Sequence, residues 1–131
     1  MIREDYLLRL IQQLGEFFRR TLGSVSANSS EELDQHLEQL AGEILGLPYT
    51  LIMALPPEEL ISLFEMSDRM VIEKCFVTAE IHRLRAQVEK DTELQKLFRE
   101  RAVFFFETVT PDLHGELGEQ AREHLNELAS E

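Results

Sequence analysis

Apolar residues recur at three- and four-residue steps through nearly the whole chain, and the breaks between runs read as helix caps. The first run, from about Arg3 to Leu22, puts Tyr6, Leu7, Leu10, Ile11, Leu14, Phe17 and Phe18 on one broad helical face. Gly23 then stands where a left-handed C-cap is expected, and the small polar residues from Ser24 to Ser30 form a loop. Ser29 followed by Glu32 is a capping-box pattern that opens a second helix. Leu33, Leu37, Leu40, Ile44 and Leu45 supply its stripe, and Gly46 and Pro48 stop it. The nearly continuous apolar stretch from Leu47 to Leu55 predicts a short buried helix starting near Pro48. A lone strand there would leave its backbone groups unpaired. Pro57, followed by Glu58 and Glu59, opens another short helix to about Phe64.

Two long helices follow. Ser67 or Asp68 caps one that runs to about Glu89, with Met70, Val77, Ile81, Leu84 and Val88 in its stripe and Ile72, Cys75, Phe76 and Ala79 widening it. Asp91 or Thr92 caps the next, which carries Leu94, Leu97, Phe98, Ala102, Phe105 and Val109. Thr110 and Pro111 mark the last boundary, with Asp112 in the first turn of a helix striped by Leu113, Leu117, Ala121, Leu125 and Leu128. Gly115 and Gly118 weaken that helix by up to about 1 kcal/mol each relative to alanine, so it is expected to fray. The sum is an all-α fold of five to seven helices packed as antiparallel hairpins, in a single domain over residues 1–131.

Within this pattern the run Phe104-Phe105-Phe106 stands out. Three successive helical residues sweep about 200° of arc, so one neighbouring helix cannot cover them all. Either the helix is central and all three lie in the core, or one ring faces a groove or partner. Phe104 is the odd one, off the Leu94–Phe98–Phe105–Val109 stripe and beside Leu97 and Arg101. The first helix poses the same choice. Its arginine-flanked apolar face fits a membrane surface, but packing into the core or onto a second copy is the expected use. Together these readings name Tyr6, Leu10, Phe17, Leu97, Arg101 and Phe104 as a candidate interaction surface.

Charge narrows the partners. The 131 residues carry 13 basic and 25 acidic side chains, a net charge of −12. Such a surface repels nucleic-acid phosphate and anionic membrane, so neither is an expected partner. From Glu107 to Glu131 there are seven carboxylates and only Arg122 in opposition, whereas the first 22 residues set Arg3, Arg9, Arg19 and Arg20 against Glu4, Asp5 and Glu16. A solvated face is the plain reading of the acidic end; attraction between the two ends is the other. No apolar stretch reaches the ~18 residues of a transmembrane helix, and Arg3, Glu4 and Asp5 break any signal-peptide pattern. A cytoplasmic location is therefore expected. The lone Cys75 excludes an internal disulfide.

Reactive chemistry is hard to find. The residues three before His36, His82, His114 and His124 are Leu33, Ala79, Pro111 and Ala121, so the Glu-x-x-His motif of di-iron bundles is missing. Glu32 and His36, one turn apart, read as a surface contact. Cys75 reads as a small core hydrophobe, with His82 about two turns away. There is no nucleophile elbow and no phosphate-cradling glycine loop. Gly42 and Gly46 read as a packing position and a cap. Glu80, His82 and Arg83 are the nearest approach to a polar cluster. No catalytic residue, metal or cofactor is expected.

The opening Met1-Ile2-Arg3-Glu4-Asp5-Tyr6-Leu7-Leu8-Arg9-Leu10-Ile11 resembles the start of a family of small uncharacterised bacterial cytoplasmic proteins with a tetratricopeptide-like helical fold. The similarity continues through residues 47–63, into the helix start Pro57-Glu58-Glu59-Leu60, and on to the hairpin from Met70 to Val109. Leu94, Phe98 and Ala102 follow the small–aromatic–small rhythm of a tetratricopeptide second helix, with leucine in place of alanine. The Trp-x-x-Leu-Gly-x-x-Tyr signature of the first helix is missing. The resemblance implies a tetratricopeptide-like or α–α superhelix-like bundle and a bacterial cytoplasmic setting, and it supplies no activity. The expected function is a non-catalytic protein-interaction or scaffolding module, self-associating as a homodimer. The alternative is a binder of small hydrophobic ligands or lipids in a phenylalanine-lined cavity.

Overall fold

The computed structural model describes residues 29–66 and 71–130, together with Arg9 and Gln12. The helix expected over Arg3–Leu22, with Tyr6, Leu10 and Phe17, and the cap at Ser67 or Asp68 fall outside the described residues. The rest is all-α, with no strand among the described residues. Six helices follow in order: α1 (Ser29–Leu40), α2 (Tyr49–Ala54), α3 (Pro57–Met66), α4 (Val71–Val88), α5 (Thr92–Val109) and α6 (Gly115–Ser130).

Local chemistry sets the boundaries. α1 runs on as one wide π-helical turn, Ala41–Leu45. It closes at Gly46, whose φ of 70° suits glycine, and the Leu47 N–H reaches back 3.4 Å to the Ala41 carbonyl. Asp91 caps α5 by accepting from the Glu93 and Leu94 N–H groups at 2.9 and 3.3 Å. Between α5 and α6 the chain makes a 3₁₀ turn, Thr110–Asp112, so α6 starts at Gly115 and Asp112 precedes it. Gly118 has a geometric role that its low helix propensity conceals. A Cβ there would stand 2.8 Å from the Leu113 carbonyl oxygen, so α6 folds back on that carbonyl only without a side chain.

α4 and α5 form the most extensive helix pair, a hairpin across a three-residue link. α6 packs on α5, α1 on α4 and α2, and α3 on both α4 and α5. The helix covered on every side is α4. From Cys75 to His82 eight successive residues are buried. That run contains Thr78, Glu80 and His82, so polar groups have been carried into the core and must find partners there.

The phenylalanine run divides. Phe105 and Phe106 are fully buried, whereas Phe104 is half-buried and packs edge-on against Phe105, with centroids 5.6 Å apart. Phe106 meets Phe76 edge-to-face at 5.7 Å, joining α5 to α4. Cys75 is in the core, where burial and then Glu65 push its thiol up to about 12 and hold it as an inert apolar group.

Candidate functional site

Three features bear on function, and α4 and α5 position all of them. The first is a sealed polar network. Thr78 turns its hydroxyl back on the Lys74 carbonyl at 2.8 Å, and its own carbonyl receives His82 Nδ1 at 2.8 Å. His82 Nε2 accepts from Arg101 Nε at 3.0 Å. Because Arg101 can only donate, the imidazole must be neutral with its proton on Nδ1. Burial holds the His82 pKa down at about 3, overriding the Thr78 carbonyl that favours protonation, and the Arg101 charge adds a smaller downward push. The ring also stacks on Phe105 at 5.7 Å.

Arg101 continues the network. Its Nη2 donates to the Ile52 carbonyl at 2.9 Å and the Leu55 carbonyl at 2.6 Å. These are carbonyls at the C-terminal end of α2, which a helix that short cannot satisfy alone. The sequence places Arg101 on the candidate surface stripe; the structure turns it inward, 8% exposed, where it locks α2 onto the α4–α5 hairpin. Spacing along the helix is right for a surface position. What spacing cannot show is that the orphan carbonyls of another helix end beneath it.

The second feature lies on the other side of α4. Glu80, with only 3% of its side chain exposed, takes Nε and Nη2 of Arg83 at 3.3 and 3.0 Å. It also accepts His124 Nε2 from α6 at 3.1 Å, and His124 Nδ1 stands 3.9 Å from the Glu127 carboxylate. The cluster Glu80–His82–Arg83 read from sequence is thus split. Glu80 and Arg83 join one network and His82 another. Arg83 and Glu127 lead onto a cleft of 270 Å³ where α4, α5 and α6 meet, lined also by Ala86, Gln87, Gln95, Arg99 and Leu128.

The third feature is an apolar ridge. Leu94 is 42% and Leu97 45% exposed on α5; Met66 at the end of α3 is the other large exposed hydrophobic among the described residues. Phe104 lies two turns on from Leu97, partly covered. Of the six candidate surface residues, Leu97 and Phe104 share this face and Arg101 does not. Phe64, Phe76, Phe105 and Phe106 are in the core, and none of them lines the cleft.

A fourth cluster braces α1. Tyr49 donates to Asp34 at 3.1 Å, Arg85 pairs with the same carboxylate at 3.3 Å and with Glu89 at 2.7 Å, and its guanidinium lies over the Phe98 ring at 5.7 Å. Burial, then the Asp34 charge, raise the Tyr49 pKa, so the phenol stays a donor. No three metal-binding side chains converge among the described residues, and no helix among them is long and apolar enough to cross a membrane. No family model, curated protein or solved structure matches the chain.

Proposed function

We propose that the protein is a non-catalytic interaction module that self-associates as a homodimer through the leucine face of α5. The observation that carries this reading is the exposed pair Leu94 and Leu97 on a helix whose opposite side is core. The distribution of charge favours a second copy as the occupant. Residues 23–66 hold eight carboxylates and no cation, and residues 110–131 hold six carboxylates and only Arg122. Residues 71–109 carry seven acidic and seven basic side chains. Two molecules of net −12 repel through those acidic segments and meet more readily where the charge is balanced; among the described helices that is this hairpin. Lys96 and Glu100, exposed beside Leu97, allow opposite-charge pairing across the two helices.

The association is weak. Finishing the burial of a half-exposed leucine contributes about 1 kcal/mol, and four leucines across a symmetric contact give about 4 kcal/mol. That only matches the lower bound of the ~4–15 kcal/mol cost of association, so a dimer populated at hundreds of micromolar, about −5 kcal/mol net, also needs the half-buried Phe104 and the flanking charge pairs to contribute. A cytoplasmic location, and membership of the bacterial helical family that the opening residues resemble, belong to the same proposal.

Sedimentation equilibrium up to hundreds of micromolar tests it. The expected result is a monomer–dimer equilibrium that Leu97→Glu abolishes without changing the melting temperature. A wild-type chain that remains monomeric at hundreds of micromolar removes the reading.

A further inference from the structure

The cleft between α4, α5 and α6 is independent of the leucine ridge. Arg99 follows Leu97 by two residues, about 200° around α5, so the two features occupy opposite sides of that helix. Its lining has a definite polarity. Arg83 and Arg99 bring two guanidiniums from α4 and α5, and Glu127 brings a carboxylate from α6. Gln87 and Gln95 add carboxamides, and Ala86 and Leu128 supply the apolar surface.

The cationic wall is held in place from behind. Buried Glu80 engages Nε and Nη2 of Arg83, which fixes the plane of the guanidinium and leaves Nη1 outside that pair. Gln95 is anchored by its Nε2 to the Ala86 carbonyl at 3.2 Å, which leaves Oε1 outside that bond. Beneath the cleft His124 joins α6 to α4 through its 3.1 Å contact with Glu80, while its Nδ1 lies 3.9 Å from the Glu127 carboxylate. His124 Nδ1 is buried without a hydrogen-bond partner, and the adjacent Glu127 side chain is mostly exposed. A cleft of 270 Å³ is at the small end of ligand pockets, too small for a nucleotide or a lipid chain.

We propose that this cleft binds a small zwitterion of the α-amino-acid type, its carboxylate on Arg83 and Arg99 and its ammonium on Glu127. A guanidinium pair is the matching partner for a carboxylate, and the opposing carboxylate gives the site a second, opposite pole. The side chain of the ligand lies against Ala86 and Leu128, within reach of the carboxamides. A simple anion uses only one wall and meets the repulsion of Glu127.

Amide and side-chain NMR shifts of the full chain, titrated with L-glutamine, L-glutamate, acetate, methylamine and inorganic phosphate, provide the test. Saturable shifts at Gln87, Gln95 and Leu128 are expected with an amino acid. Binding should be at least ~10-fold weaker in Glu127→Gln and in Arg99→Gln, the loss of about one charge-assisted contact. Glu127 is exposed enough that its variant keeps the fold, which circular dichroism verifies, so the test does not depend on the arginine variant folding. Absence of saturable shifts up to tens of millimolar overturns the proposal. So does acetate or phosphate binding as tightly as the amino acids, or amino-acid binding that is unchanged in Glu127→Gln.

Discussion

The two polar networks on α4 begin two residues apart, at Glu80 and His82, and they end differently. His82 and Arg101 are closed off: their hydrogen bonds end on groups inside the protein, and the chain of bonds stops at the backbone of α2. Glu80 starts just as buried, but its partners lead outward through Arg83 and His124 to a cleft. A closed network keeps its hydrogen bonds within the protein, so its role is to join helices. An open one holds a polar wall at a fixed angle and keeps a face toward solvent. Adjacent buried polar residues on one helix thus serve stability in one direction and recognition in the other. Burial alone does not tell them apart; where the network ends does.

The largest test of this contrast is to remove the hub of the closed network. Arg101→Met leaves His82 Nε2 and the carbonyls of Ile52 and Leu55 without their donor. Each buried orphan costs ~1–3 kcal/mol, partly offset because a cation no longer has to be desolvated, so a net loss of about 3 kcal/mol is expected. Urea denaturation measures it. A change below about 1 kcal/mol would mean that solvent replaces the lock and that the network is not closed.

The same network predicts an acid sensitivity. His82 is neutral in the fold with a pKa of about 3, against an ordinary value of 6.5 in the unfolded chain. Between those values the unfolded chain binds the extra proton and the fold does not. Stability is therefore undiminished above pH 6.5 and falls as pH drops toward 3, by about 1.4 kcal/mol per pH unit for one proton. The quantity to read is the difference between the wild type and His82→Gln, in which carboxylate titrations common to both cancel. Parallel pH–stability curves for the two proteins would show that the imidazole is protonated in the fold or is reached by water.

The open network responds less. Glu80→Gln keeps the shape but turns an amide N–H₂ toward one of the two donors that Glu80 accepts. A loss of about 1–2 kcal/mol is expected, below that of Arg101→Met. The ranking is the informative outcome. If Glu80→Gln costs more than Arg101→Met, the network drawn here as open is the one that holds the helices together.

How much of this was legible in the sequence follows from which interactions are local. Helix starts and stops were readable because caps act within a few residues: Asp91 before α5, Gly46 after the π-helical turn and Pro57 at the head of α3 all lie where their side chains or φ angles demand. The start of α6 was misplaced because Gly118 answers to a carbonyl five residues back, a contact that propensity does not encode. The centre of the fold was harder. The Phe104–Phe106 run drew attention to α5, yet α4 is the enclosed helix, and its hydrophobic stripe is blurred because Thr78, Glu80 and His82 interrupt it. The burial of Glu80 and His82 is not legible locally, because their partners His124 and Arg101 come from other helices 19 and more residues away. Glu80, His82 and Arg83 were identifiable as a group. That they face two ways was not, since it depends on what packs against each side of α4.

The finest test concerns the outer end of the open network. Glu127 lies at the rim of the cleft, largely solvent-exposed, and its carboxylate is 3.9 Å from His124 Nδ1, outside hydrogen-bond range. An exposed carboxylate without a short contact adds little to folding, so Glu127→Gln is expected to change stability by less than about 0.5 kcal/mol. Paired with the loss from Glu80→Gln, that would show stability decaying along the network from the core to the rim, while any effect on recognition rises in the same direction. A Glu127→Gln loss as large as that of Glu80→Gln would place the rim inside the structural network. The two sides of α4 would then differ in depth and not in kind.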